Sequence, residues 1–286
     1  MIGPDRLDRV AAQAVVPEQL VCYGRVVGGG QPRLFDSCLG YEYSDSLVLI
    51  GYPVHDPWDE QALRNSVDTA LTVSTARRIT VLAASRPPQA GVAADEIPAP
   101  TDAYLSLPIP NPAPGQKLRN ILRRAQRELH LEQERTMNQD HTILISRYLQ
   151  DRILAPGTRH IFAQVSTYLA TCPSVVLISA RMKDGRLAGY TIGDFSSLTT
   201  AFYMFTFRDP DVAPPGTADL LLLAVQREGE QRGQLRVNLG LGINPSIAFF
   251  KKKWGATPFL PCQETSWERT PEGWLYRMHQ WWRSRE

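Results

Sequence analysis

The order of elements predicts an α+β fold, built as α/β layers with a mixed central sheet flanked by helices. Three observations carry this. Apolar stretches of strand length alternate with helices in both halves, a proline-rich stretch separates the halves, and in the second half three consecutive strands are joined by hairpin-type turns. The chain has 286 residues, beyond the common size of one domain, which favours two.

In the first half Asp45–Gly51 is a compact apolar strand. Asp56-Pro57 is expected to open a helix to about Val73, with Leu63, Val67 and Leu71 on one face, and Arg78–Ala84 is a second strand. Residues 87–114 hold eight of the 22 prolines, a composition short of backbone donors, and are read as the domain junction without regular structure.

In the second half Gly115 opens a helix striped by Leu118, Ile121, Leu122 and Ala125. Lys117, Arg119, Arg123, Arg124 and Arg127 crowd its remaining surface. Leu129–Arg135 reads as a strand, Asp140 caps a helix through Leu154, and a single further helix is expected from Thr158 to about Ala170. The hairpin region Ser174–Arg181, Leu187–Phe195 and Thr199–Phe207 follows, with Lys183-Asp184-Gly185 at the first turn. Thr217 starts a long helix ending near Gly233, Leu235–Leu241 is a strand, Pro245 opens a short helix to Trp254, and Thr257–Trp267 supplies a closing strand.

Charge and composition exclude little. The net charge of +2 demands no nucleic-acid partner, although local Lys and Arg clusters leave one open. No apolar run reaches the ~20 residues of a membrane-spanning helix. The opening Met1–Arg6 leads into mixed polar sequence instead of an apolar core, so a cytoplasmic protein is expected. Cys22, Cys38, Cys172 and Cys262 are widely spaced without a CxxC pair, which argues against a zinc site or redox dithiol and predicts four free, buried thiols.

Over residues 128–268 the order of elements resembles the GNAT acyltransferase fold, in which a splayed pair of central strands holds the acyl donor. Local sequence adds to the likeness. Asn238-Leu239-Gly240-Leu241-Gly242-Ile243-Asn244, followed by Ala248-Phe249-Phe250-Lys251-Lys252-Lys253-Trp254-Gly255-Ala256, is similar to the strand–helix pattern of Fem-type aminoacyl-tRNA-dependent transferases. The basic helix Lys117–Arg127 before the core resembles the soluble domain of lysyl-phosphatidylglycerol synthases. Both families carry tandem GNAT-like units. The resemblance therefore implies a degenerate GNAT-like domain over 1–110 and a GNAT-like acyltransferase domain over 111–286.

What the resemblance implies for chemistry is transfer of an acyl or aminoacyl group from an activated donor to an amine or hydroxyl acceptor. The donor is a co-substrate, with no tightly bound cofactor and no metal. Users of coenzyme A in this fold bind its diphosphate at a glycine-rich loop opening the long helix. The segment here reads Ala213-Pro214-Pro215-Gly216-Thr217-Ala218-Asp219, where two prolines remove donors. Gly216, Thr217 and Ala218 still offer a helix N-terminus to an anion. The departure favours aminoacyl-tRNA as donor, ahead of acyl-CoA or a carrier thioester.

Lys251 aligns with the Fem-type lysine and is assigned to the donor phosphate or the oxyanion, whereas Lys252 and Lys253 read as a solvated helix face. Asp194 at a strand end is the candidate base, and Tyr203 on the next strand the candidate donor to the leaving group. Asn238 and Asn244 flank the glycine-rich turn as candidate donor-binding residues, or as residues that simply suit a tight turn. Lys117, Arg119, Arg123, Arg124 and Arg127 suit an RNA backbone, or a solvated face. The acceptor class spans small molecules, peptides and lipids, and the oligomeric state is open. The rival class is a non-catalytic binding module that keeps the fold.

Overall fold

The computed structural model describes residues 4–87, 94–98, 102–112, 114–242 and 244–269. Along the chain the elements are α1 (Pro4–Ala12), a 3-10 turn (Pro17–Gln19), α2 (Val21–Val26), β1 (Gln31–Phe35), β2 (Cys38–Glu42), β3 (Ser46–Gly51), α3 (Glu60–Val73), β4 (Arg78–Ala83), β5 (Ala94–Pro98) and β6 (Asp102–Pro108). There follow α4 (Gln116–Glu128), β7 (Leu129–Glu134), α5 (Gln139–Gln150), α6 (Pro156–Ala163), α7 (Val165–Thr171), β8 (Val175–Met182), β9 (Leu187–Asp194), β10 (Thr200–Arg208), α8 (Thr217–Gln231), β11 (Arg236–Leu241), α9 (Pro245–Lys253) and β12 (Thr257–Arg269). Among the described residues no helix is long and apolar enough to cross a membrane.

The chain forms two units. One holds Gly29–Asp102 together with the described residues from Leu260, and the other holds Asp8–Gly28 and Ala103–Phe259. The division is therefore interleaved, where a single cut near residue 110 is the reading from sequence. The proline-rich stretch also contains regular structure. Strand β6 lies inside it because Tyr104, Leu105 and Leu107 supply buried side chains, and its Pro108 sits at the strand's last position, where a missing donor costs least.

In the first unit β1, β2 and β3 form an antiparallel meander, α3 crosses over, and β4 returns parallel to β3. Gln263–Glu268 of β12 pair antiparallel with β4. The cap of α3 is Asp59, whose side chain accepts from Ala62 N at 2.9 Å. Asp56, expected there, instead accepts from Trp58 N at 2.9 Å in the turn just before. Leu63, Val67, Ala70 and Leu71 of α3 pack on Leu47, Leu49, Ile79 and Val81, so helical and strand periodicities meet in one core.

The second unit has the sheet order β6-β11-β10-β9-β8-β7, antiparallel throughout except for the parallel pair β11 and β10. Strands β8 and β9 are buried on both sides because both sides are covered. On one face Leu177, Tyr190, Ile192, Phe205 and Phe207 pack against α5 and α7 through Leu144, Val165 and Tyr168. On the other, Ile178, Ala188, Ala201 and Val237 pack against α4 and α8 through Leu122, Leu221 and Val225. The single helix expected over 158–170 is two, because Gln164 serves as C-cap of α6 and N-cap of α7.

Two of the four cysteines expected to be free are joined. Cys22 and Cys172 form a disulfide with Cα atoms 6.0 Å apart, linking α2 to the end of α7 across a sequence separation of 150. Cys38 and Cys262 are buried and are not joined in a disulfide. Burial pushes the Cys38 thiol up to about 12, which removes it as a nucleophile.

Candidate active site

The two central strands of the second unit part. Pairing of β10 with β11 covers only Thr200–Phe202 opposite Arg236–Asn238. Beyond that point β10 follows β9 to Arg208, and β11 follows β6 to Leu241. Each strand carries an irregularity at the fork. In β10 the register against β9 jumps between Tyr203 and Phe205, leaving Met204 unpaired in the ladder. In β11 the register shifts between Asn238 and Leu241, where Gly240 takes a φ of 73° that favours glycine. The Asn238 side chain holds this kink. It accepts from Gly240 N at 2.6 Å and donates to Val15 O at 2.8 Å.

Tyr203 stands at the mouth of the fork, on the α8 face of the sheet. Its hydroxyl oxygen is buried and has no geometrically formed hydrogen bond among the described residues. Burial pushes its pKa well up, the nearby Thr206 and Thr191 hydroxyls pull the other way, and the Asp219 charge adds to the rise. The side chain is therefore a proton-bearing donor at any ordinary pH. Thr191 and Thr206, the hydroxyls on that side, pair with each other at 2.8 Å.

Asp194 does not join Tyr203. It is opposite Phe202, whereas Tyr203 is opposite Gly193, so the two side chains leave the sheet on opposite faces. Asp194 is fully buried, accepts from the Tyr168 hydroxyl on α7, and accepts from Ser196 N at 2.8 Å. The expected acid–base pair is thus not assembled, and Asp194 ties the end of β9 to α7.

At the start of α8, Gly216 has a φ of 96°, and a Cβ there would lie 2.7 Å from Ile121 Cγ2 of α4. Thr217 is buried, and its hydroxyl donates to Pro214 O at 2.7 Å. Ala218 follows, then Asp219, whose nearly buried carboxylate oxygen accepts from Trp254 Nε1 at 2.8 Å and lies 2.6 Å from Lys253 Nζ. A carboxylate in the first turn already answers the positive end of the helix. Gly216 is accordingly packed against α4, and the first turn of α8 carries its own anion in Asp219.

Helix α9 is capped by Asn244, which accepts from Ile247 N at 3.0 Å, so this asparagine has a structural task. Lys251 is 5% exposed and donates to Leu241 O, placing its ammonium beside Gly240 on the parted end of β11. Lys252 is exposed. Lys253, read from sequence as solvated, is the partner of Asp219. The linked set Asp219, Lys253 and Trp254 was hidden because it joins the first turn of one helix to the last turn of another, and only the acid at the third helical position hinted at it.

Of the five basic residues on α4, two are engaged locally. Arg119 donates to Pro114 O and Gln116 Oε1, each at 2.5 Å, and Arg124 pairs with Glu128 at 3.0 Å. Lys117, Arg123 and Arg127 are exposed and have no carboxylate partner among the described residues.

Together the parallel-strand fork, the bulge at its root and the long helix beside it define a GNAT-like α+β fold. No protein-family model and no curated protein matches the chain. Solved structures do match in fold. FemX aligns with a TM-score of 0.63 at 11% identity, over 97% of this chain and 98% of that one. The C-terminal domain of a candidate lysylphosphatidylglycerol synthetase from Agrobacterium fabrum aligns at 0.58 and 16% identity, over 96% and 95%. A GCN5-related N-acetyltransferase from Kribbella flavida aligns at 0.52 and 11% identity, over 94% and 97%.

Proposed function

We propose that the second unit transfers an acyl or aminoacyl group from an activated donor to an amine or hydroxyl acceptor. The observation that carries this reading is the fork between β10 and β11, with the buried, protonated Tyr203 hydroxyl at its mouth. In the reaction the acceptor nitrogen or oxygen forms a bond to the donor's carbonyl carbon, the bond from that carbon to the carrier breaks, and the leaving atom takes up a proton. Tyr203 donates to the oxyanion or to the leaving atom, where a preorganised donor in a dry site is worth most. Lys251 acts as a positioning residue that fixes the lip of the fork through Leu241 O. Asp194 has no direct part, and the acceptor's proton leaves through the substrate or solvent.

Aminoacyl-tRNA is the preferred donor. Two features support it over acyl-CoA: the start of α8 is packed against Ile121 and carries Asp219, and α4 presents Lys117, Arg123 and Arg127 exposed and without carboxylate partners among the described residues. The fold shared with FemX and with the lysylphosphatidylglycerol synthetase domain agrees with the preference. The test is native mass spectrometry of the purified chain for bound RNA or CoA species, followed by transfer of label from aminoacyl-tRNA or acyl-CoA to a mixed amine pool. Transfer from aminoacyl-tRNA alone is expected. Transfer from acyl-CoA alone would reverse the donor order, and none from either would return the chain to the non-catalytic class.

A further inference from the structure

Tyr203 occupies one of the fork's two faces. The last paired residues of the two strands, Phe202 and Asn238, turn their side chains to the other, away from α8. The segment Ala14–Leu20 crosses that second face. It is pinned to β11 by Asn238, whose amide donates to Val15 O at 2.8 Å, and to β10 by Ala14 and Leu20, which pack on Phe202. Between the two anchors the Gln19 side chain accepts from Val15 N at 2.8 Å and from Val16 N at 3.3 Å, which closes the turn. The turn therefore straddles the root of the fork.

Within residues 14–20 the one titratable side chain is Glu18. It is half-buried, and its Oε2 accepts from the Tyr104 hydroxyl at 2.8 Å. Tyr104 sits on β6 opposite Leu241, past the Asn238–Ser106 pair and toward the open end of the fork. Leu105 and Leu107 belong to the α8-side core, so strand alternation puts Tyr104 on the other face, with Glu18. Two more charged groups approach from neighbouring elements. Asp194 of β9 shares the face but is held by Tyr168 and Ser196 N, and Lys251 of α9 donates to Leu241 O, on the residue opposite Tyr104. Burial pushes the Glu18 carboxyl above its ordinary value, while the Tyr104 hydroxyl and the backbone N–H of Glu18 itself pull it down. A carboxylate whose pKa is raised is the stronger proton acceptor.

We infer that Glu18 is the general base of the transfer, receiving the acceptor's proton directly or through one water while the acceptor occupies the face of the fork crossed by Ala14–Leu20. The inference rests on the transferase reading, and gives the proton that leaves through solvent there a place to go. The acceptor's N–H or O–H bond breaks toward the Glu18 carboxylate as the acceptor atom bonds to the donor's carbonyl carbon. The bond from that carbon to the carrier then breaks, and the leaving atom takes a proton from Tyr203 on the opposite face. Solvent removes the proton from Glu18 and restores one to Tyr203, so the net change is one proton from acceptor to carrier.

Transfer of label from aminoacyl-tRNA and from acyl-CoA to the mixed amine pool is followed against pH on the full chain and on E18Q, E18D and Y104F. The base works deprotonated, so wild-type kcat falls as the pH drops through the Glu18 value. E18Q lowers kcat by roughly 100-fold or more and abolishes this acid limb. E18D keeps the limb at reduced turnover, and Y104F, which takes a hydrogen bond from the carboxylate, moves it to higher pH. A side chain that only held the turn would lower activity in E18Q without altering the limb. Independently of transfer, carbon-13 NMR of the glutamate-labelled full chain, with E18Q to assign the signal, finds Glu18 titrating above its ordinary value and higher still in Y104F. An acid limb that survives E18Q, or a Glu18 that titrates at its ordinary value, overturns the inference and leaves the transferase standing. No transfer by the wild type from either donor removes the transferase, and the base with it.

Discussion

Lys253 Nζ stands 2.6 Å from Asp219 Oδ1, and the same oxygen accepts the Trp254 indole N–H at 2.8 Å. This ties the last turn of α9 to the first turn of α8 at the edge of the fork. It also separates three consecutive lysines by environment: Lys251 is buried on Leu241 O, Lys252 is in solvent, and Lys253 is bound to a carboxylate that is itself 7% exposed.

Removing Lys253 therefore leaves a nearly buried charge with one neutral donor. Lys253→Met is expected to cost about 1–3 kcal/mol, below the value for a fully buried pair because the lysine retains some solvent. Lys252→Met should stay within roughly 0.5 kcal/mol. Urea denaturation of both variants checks this, and equal midpoints would show that the ion pair contributes nothing net.

Tyr203→Phe separates stability from chemistry. The lost hydroxyl makes no geometric hydrogen bond among the described residues, so its removal spares a desolvation penalty, and the melting temperature should hold or rise. If the hydroxyl serves the transition state, turnover falls by roughly 100-fold or more with little change in KM. A variant with unaltered turnover would take Tyr203 out of the mechanism.

Much of the fold around the fork was legible because its signals are local. Gly216 before the apolar run of α8, Asn244-Pro245 before α9 and the Asp184-Gly185 turn each mark an element end through backbone chemistry that neighbouring residues supply. What lay beyond reach was long-range. The Cys22–Cys172 bond has no motif, since spacing of this size carries no signature. Strand β6 was obscured by prolines that lie at its end and after it. Asp194 and Tyr203 look like a pair in sequence, but register decides the face. One residue of offset in the β9–β10 ladder sends them to opposite sides.

The buried His141 predicts an acid limb of stability. Its Nδ1 accepts from Asn138 N at 3.1 Å, so Nε2 carries the proton and donates to Ser179 Oγ at 2.8 Å, while Ser179 donates to Glu134. Burial lowers the His141 pKa from 6.5; Glu134 opposes this, Arg181 reinforces it, and Asp140 and Glu132 oppose it. With the folded value depressed, the unfolded chain binds the proton first. Stability is then fully present above the ordinary histidine value, falls as the pH drops through it, and levels off below the folded value. Denaturation of wild type and His141→Gln from about pH 7.5 to about pH 5 should show the wild type losing its advantage toward acid. A constant difference would place the acid sensitivity in other groups.

The charge on α4 gives the sharpest test of the RNA reading, because phosphate contacts are read in salt dependence as well as in affinity. Each contact releases counterions, so the slope of log K against log salt changes by about 0.7 per contact for single strands and about 0.9 for duplex. Lys117, Arg123 and Arg127 are exposed and without carboxylate partners among the described residues, and so are available for this, whereas Arg119 and Arg124 are held by Pro114 O, Gln116 and Glu128. Lys117→Gln/Arg123→Gln/Arg127→Gln should leave the fold intact, since surface changes of this kind stay near 0.5 kcal/mol each. Binding of bulk tRNA, followed by fluorescence over a salt series, should weaken in this triple variant, with the slope reduced by roughly 2–3. Arg119→Gln/Arg124→Gln should change the slope less, because those side chains must first leave their present partners. Wild-type binding with a slope untouched by the triple change would move the RNA contact off α4. No binding by the wild type would make the α4 charge a solvated face and leave a thioester as the remaining donor.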